Sequence, residues 1–178
     1  MTSDIHLAQR VNIVKSSIYD NPRDIYSELI PYIKQNVELL IKKDKSYLNL
    51  KYLNITRKLV KRGIMTITYG VTKRGILDQL LSEHFYKSGL VNNHYVYKPK
   101  DEKLGDVGLT IKDLNALSGI IYNVLFDSHE VLNNFVKYFD SIVDTMNKLE
   151  LPMQWITPSK LILTQRYTSL QHMILQQL

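Results

Sequence analysis

The chain has 178 residues, 44% apolar and 22% charged, a balance that permits a packed domain and excludes a disordered or fibrous polymer. Lys and Arg outnumber Asp and Glu by 23 to 17, for a formal charge of +6; this favours a polyanionic partner, although a solvated lysine-rich face accounts for the same excess. With no cysteine, disulfides, thiolate metal sites and cysteine nucleophiles are excluded; the opening MTSDIHLAQR holds no signal-peptide core, and no stretch approaches the roughly 18 apolar residues of a membrane span.

In chain order, DNPRDIYSELIPYIKQNVELLIKK predicts a helix, with Asn21 as its cap, Pro22 in the first turn and Pro31 bending it. Ile25, Leu29, Ile33, Val37 and Leu40 recur in it at helical spacing. The segment DKSYLNLKYLN is expected to be a polar connector, and a second helix starts at the capping residue Thr56 and runs to about Tyr69. Gly70 is placed to make a left-handed turn, and a further helix is expected over Lys73 to Tyr86. Ser88 to Gly108 is polar and basic, punctuated by Gly89, Asn92, Asn93, Pro99 and Gly105, and reads as a long loop, a class that is usually functional or disordered.

Beyond it, Thr110 with Asp113 and Asp127 with Glu130 form capping-box patterns that open two helices filling Ile111 to Leu149. Their apolar positions, such as Leu117, Ile121, Leu125, Phe135 and Phe139, read as packing. Met153 to Thr157 and Leu161 to Tyr167 are strand-like runs around Pro158-Ser159-Lys160, a hairpin. There is no internal repeat. The fold class expected is mainly α with a small terminal β-hairpin. Abundant Ile, Lys and Asn, with 12 Tyr against 4 Phe and 1 Trp, fit an AT-rich coding sequence and hence an organelle or plasmid origin.

The stretch TRKLVKRGIMTITYGVTKRG carries the chemistry. Arg57, Lys61, Met65 and Tyr69 are spaced four apart and fall along one helix face. Arg57 lies in the first turn, where the helix dipole and free N–H groups favour an anion, and Lys61 follows one turn later, so a triphosphate fits there. An amphipathic helix with a solvated basic side, packing Leu59, Ile64 and Ile67 inward, has the same spacing.

The string itself goes further. Arg57-x3-Lys61-x7-Tyr69-Gly70 resembles the motif on the fingers helix of phage-type single-subunit DNA-directed RNA polymerases. Met65-Thr66 within it is the version seen in phage and mitochondrial RNA polymerases rather than in the related DNA polymerases. Val11-Asn12-Ile13 with Asp24-Ile25-Tyr26, then Gly75, then Trp155-x-Thr157-Pro158 with Gln165 and Tyr167, resemble further family segments in the same order. Ser159-Lys160 departs from the family's Asp-Gly-like turn.

The resemblance implies that residues 1–178 are an internal piece of such an enzyme, of mitochondrial or mitochondrial linear plasmid type, forming most of its fingers subdomain. Residues 52–87 would be the nucleotide-binding helix and its successor, 110–149 a helical pair, and 153–168 the hairpin leading to the palm of the right-hand fold. Arg57 and Lys61 would hold the triphosphate, Tyr69 would select the sugar and abut the template base, and Gly70 would permit the turn; Lys61 and Tyr69 are the catalytic candidates. DNA template, ribonucleoside triphosphates and RNA product are the implied partners, with the remaining polymerase segments, in the mitochondrion.

Nucleotidyl transfer in this family uses magnesium held by aspartates on two segments, one before the Val-Asn stretch and one, His-Asp-Ser, after the hairpin. The chain is expected to lie between them, to bind no metal itself and to be inactive alone; a non-catalytic nucleic-acid-binding module is the alternative. Asp127-Ser128-His129 has the wrong order and place for the missing segment and reads as helix capping. His6, His84, His94, His129 and His172 show no metal-ligand spacing, and no nucleophile-elbow, Walker or Rossmann pattern occurs.

Overall fold

The first long helical pattern becomes α2, Ile25–Lys43, in a computed structural model that describes residues 5–14, 21–91, 93–127 and 130–165. A short α1, Ile5–Arg10, precedes it. The cap of α2 is Asp24, whose side chain accepts from the Tyr26 N–H, and not Asn21 as expected. The reason is long-range: Asn12 (φ 61°) accepts from the Arg23 N–H at 2.7 Å and donates to the Arg23 carbonyl at 2.8 Å. Both backbone groups of Arg23 are thus engaged outside the helix, which begins only after it. α2 continues through Pro31 and buries Leu29, Ile33 and Val37, one residue per turn.

The segment expected to be a polar connector is instead a 3₁₀ helix, Lys45–Tyr52, opened by the Asp44 side chain accepting from Ser46. It buries Leu50, and Leu53 and Ile55 follow into the core. Its apolar residues are too sparse to stand out as a pattern, yet they close one side of the helical layer. Next come α3, Arg57–Ile67, capped by Thr56, and α4, Lys73–Glu83, capped by Thr72; both starts agree with the sequence, but α4 stops before Tyr86.

The expected loop from Ser88 is the largest correction. Phe85–Val91 (β1) pairs antiparallel with His94–Pro99 (β2), and Leu109–Thr110 (β3) adds to β2, giving the order β1-β2-β3. Asn93 takes the left-handed conformation (φ 64°) that a tight hairpin turn requires. The strands escaped notice because most of β1 is exposed and one-sided alternation is absent.

The Thr110–Asp113 capping box is formed: Asp113 Oδ2 accepts from the Thr110 N–H and hydroxyl at 2.8 Å, and Thr110 Oγ1 accepts from the Asp113 N–H. It opens α5, Ile111–Asp127, which buries Leu114, Leu117, Ile121, Val124 and Leu125 and packs against α2, α3 and α4. Gly63 faces α4 and α5 with no room to spare, since a Cβ there would lie 3.2 Å from both Ile76 and Ile121. Phe85 and Leu109 bring the base of the sheet into the same core.

A second compact unit follows from Glu130. In it, α6, Glu130–Lys148, has no buried residue among those described; Phe135 and Phe139, expected as packing, are 44% and 45% exposed and touch each other, ring centroids 4.8 Å apart. Helical periodicity identified the apolar face but could not say that a neighbour covers it. The terminal hairpin is present as β4, Met153–Ile156, and β5, Ile162–Gln165. Lys160 adopts φ 63°, the left-handed turn conformation for which glycine is the usual choice. The Asp127–Glu130 box depends on residues 128–129, and His129, Tyr167, residues 166–168 and His172 lie outside the described residues.

Candidate functional site

The site is built on α3. Thr56, in extended conformation, accepts from the Leu59 N–H and starts the helix. From there Leu59, Val60, Gly63, Ile64 and Ile67 are buried, as the amphipathic reading required, and Arg57, Lys61, Met65 and Tyr69 line the exposed side. Four-residue spacing advances about 6 Å along the axis per step, so the two cations and the phenol form a row rather than a cluster.

Arg57 is anchored. Its Nε donates to Asp24 Oδ2 at 2.5 Å, and its guanidinium lies 5.4 Å from the centre of the Tyr26 ring. Asp24 is itself fixed, since it caps α2 and also accepts from the Ser27 hydroxyl at 2.7 Å. Partial burial alone would raise the Asp24 carboxyl, but hydrogen bonds from Arg57 and Ser27, the Arg57 charge and the Tyr26 N–H outweigh it and hold its pKa below the usual carboxylate value. Nearby, Glu28 accepts both Arg23 Nε and Nη2, at 2.7 and 2.9 Å, and Arg10 lies 3.5 Å away. These contacts fasten the segment around Asn12 to the first turn of α2 and, through Asp24, to the first turn of α3.

Lys61, by contrast, has no carboxylate partner among the described residues. The other cations of α3 are held aside: Arg62 pairs with Glu83 at the end of α4, and Lys58 lies 3.4 Å from Asp101. Thr66 is turned inward, donating to the Arg62 and Gly63 carbonyls and bonding Gln79 of α4. At the far end of the row Tyr69 is 83% exposed, the most open of the large apolar or aromatic side chains described.

The turn after Tyr69 is specific. Gly70 N–H donates to the Ile67 carbonyl at 3.0 Å and Val71 N–H to the Thr66 carbonyl at 3.1 Å, a Schellman closure with Gly70 at φ 80°. No atom lies within 4 Å of a Cβ built on Gly70, so the backbone angle, not crowding, calls for glycine here. Gly75 differs: its Cβ would meet Val71 Cγ2 at 2.7 Å.

A family model for DNA-dependent RNA polymerase matches residues 1–178. The chain belongs to that family. A probable DNA-directed RNA polymerase of Neurospora crassa is 47% identical over 170 residues, covering 94% of this chain and 19% of the relative. Another, of Agaricus bitorquis, is 32% identical over 176 residues, 96% of this chain and 15% of the relative. A mitochondrial DNA-directed RNA polymerase of Neurospora crassa is 37% identical over 76 residues, 43% of this chain and 5% of the relative. The chain thus spans about a fifth or less of the length of the curated RNA polymerases just named. No solved structure matches it.

Within this family member, Asp24 and Tyr26 are the site residues that sequence reasoning did not assign. Their signal was present in the Asp24-Ile25-Tyr26 string, but the contact with Arg57 spans 33 positions and leaves no local pattern. Among the described residues no three of His, Asp and Glu gather as a metal site, and the Asp24 carboxylate is committed to Arg57. His84 is buried beside Glu83 (3.8 Å) at the end of α4; burial, then the charges of Lys58 and Lys100, lower its pKa against a weaker opposing effect of Asp101. Among the described residues no helix is long and apolar enough to cross a membrane.

Proposed function

We propose that the chain supplies the nucleotide-gripping part of the fingers of a DNA-directed RNA polymerase, an enzyme of templated ribonucleotidyl transfer. Lys61 and Arg57 bind the triphosphate of the incoming ribonucleotide, Tyr69 contacts its sugar and the template base, and Gly70 lets the chain turn away beside it. DNA template and RNA product are the macromolecular partners, and the mitochondrion is the place of action, in keeping with the name of one relative. The observation that carries this reading is the division of α3: every buried residue lies off the Arg57–Lys61–Met65–Tyr69 row, and that row is exposed. A helix serving only to pack has no need of an unpaired cation and an open phenol on one line.

In this reading Asp24 is a positioning residue. It occupies Arg57 Nε and leaves the terminal nitrogens of the guanidinium to meet phosphate oxygens, while Lys61 adds an uncompensated charge one turn along. Tyr69, at the end of the row, reaches the sugar with a hydroxyl that can distinguish a 2′-OH from its absence. The chain alone is inactive in RNA synthesis.

The test is titration of the purified chain with a ribonucleoside triphosphate, followed by calorimetry. Lys61→Ala is expected to weaken binding at least tenfold and Tyr69→Phe to narrow the preference for ribo- over deoxyribonucleotide. Unchanged triphosphate affinity in Lys61→Ala, with salt-sensitive polynucleotide binding retained, would favour a non-catalytic nucleic-acid-binding module instead.

A further inference from the structure

The β1–β2 ribbon is not accounted for by the nucleotide site. Its base is buried through Phe85 and Tyr97, but toward the turn the strands run out of cover: Tyr86 is 46% exposed, Tyr95 50%, and Leu90 and Val91 58% each. Between His84 and Lys100 the sequence contains Lys87, His94 and Lys98 and no Asp or Glu. Lys98 is compensated by Asp106 at 2.8 Å, and Lys100 donates to the Ser82 carbonyl at 2.6 Å. Lys87 has no carboxylate partner among the described residues and instead lies 4.6 Å from the centre of the Tyr95 ring. The register sets Leu90 opposite Tyr95 and Tyr86 opposite Lys98, and it shifts between Lys87 and Gly89, a bulge that bends and twists the strand at the point where cover ends.

We propose that one face of this ribbon is a binding surface for single-stranded nucleic acid, with Tyr95 as the stacking platform and Lys87 facing the phosphates; Tyr86 and the Asp106-paired Lys98 lie on the opposite face. The inference extends the function proposed above, because it names a surface for the polynucleotide rather than for the incoming nucleotide. Charge complementarity selects the partner: an acid-free segment bearing a half-exposed aromatic ring beside an ammonium with no carboxylate partner among the described residues matches a flexible polyanion with exposed bases. A single strand fits better than a duplex, since the Tyr95 ring offers a face that an unpaired base can stack upon. Leu90, opposite Tyr95, extends the same face.

The experiment is fluorescence anisotropy of the whole chain with a labelled single strand of about twelve nucleotides, within the usual site size for such surfaces. Tyr95→Ala is expected to weaken binding at least about fivefold, the lower bound for losing one stacked base. Tyr95→Phe, which keeps the ring, retains the affinity, and triphosphate binding is the same in all three proteins. The inference is overturned if the alanine variant binds like the parent, if the phenylalanine variant loses as much, if a duplex of the same sequence binds more tightly, or if the only change is in oligomeric state by size exclusion. Since the Tyr95 ring is half exposed, thermal melts of the variants should overlay the parent. The nucleotide reading fails separately, through Lys61→Ala leaving triphosphate affinity intact, and that result would leave the ribbon measurement standing.

Discussion

Helices α5 and α6 follow one another in the chain, span 17 and 19 residues and both carry regularly spaced large apolar side chains. One is the centre of the core, with Leu114, Leu117 and Ile121 wholly covered; the other buries nothing among the described residues. The difference lies in composition around the helix. α5 is apolar or small on most sides, as a helix touched by three others must be, whereas α6 alternates Asn, Lys and Asp with its apolar stripe and needs only one covering surface. Periodicity establishes that a helix has an apolar face; the breadth of that face tells how many neighbours it was selected to meet.

The comparison breaks if the two helices respond alike to truncation. Leu117→Ala is expected to destabilise the chain by about 2–5 kcal/mol in urea unfolding, because it empties a covered site. Gly63→Val, which inserts a branched side chain where a Cβ already stands 3.2 Å from Ile76 and Ile121, should cost about 1–3 kcal/mol by forcing α3 away from α5. Gly70→Ala lies next, at about 1–2 kcal/mol, all of it backbone strain from the left-handed angle; if it proves neutral, the Schellman turn is not formed.

His84 supplies a pH test on the α4 side of the same core. Its pKa is lowered by burial and by Lys58 and Lys100 from an ordinary value of 6.5, so the unfolded chain takes up the proton first. Stability should therefore be constant above that value and decline as pH falls below it, until the folded-state pKa is passed. His84→Gln should flatten this slope in denaturant titrations from pH 7 downward. The smallest effect is expected for Phe135→Ala on α6, about 0.5 kcal/mol or less, since the ring is already exposed; a loss matching that of Leu117→Ala would show that α6 is covered in solution.

The sequence disclosed the parts of this molecule governed by short-range rules. Thr56, Gly70 and the Thr110–Asp113 box all act within five residues of the groups they satisfy, and each was found where its spacing predicted. The motif face of α3 was equally legible, because four-residue spacing fixes direction around a helix. What escaped depends on distant partners: Asn12 deciding where α2 starts, Asp24 reaching Arg57, and the β1–β2 ribbon, whose open tip lacks the alternation that a half-buried strand displays. The 3₁₀ segment escaped for another reason, since Leu50 and Leu53 repeat at three rather than the period of an α-helix.

Asp24 stands at two beginnings, capping α2 and holding the first side chain of α3. A single carboxylate therefore makes the orientation of Arg57 conditional on the first turn of α2: when that turn frays, the guanidinium loses its tether. Amide exchange at Tyr26, whose N–H Asp24 accepts, then reports on how often the grip is disassembled, and any contact that secures the Asn12–Arg23 join raises the fraction of molecules in which Arg57 is already aimed.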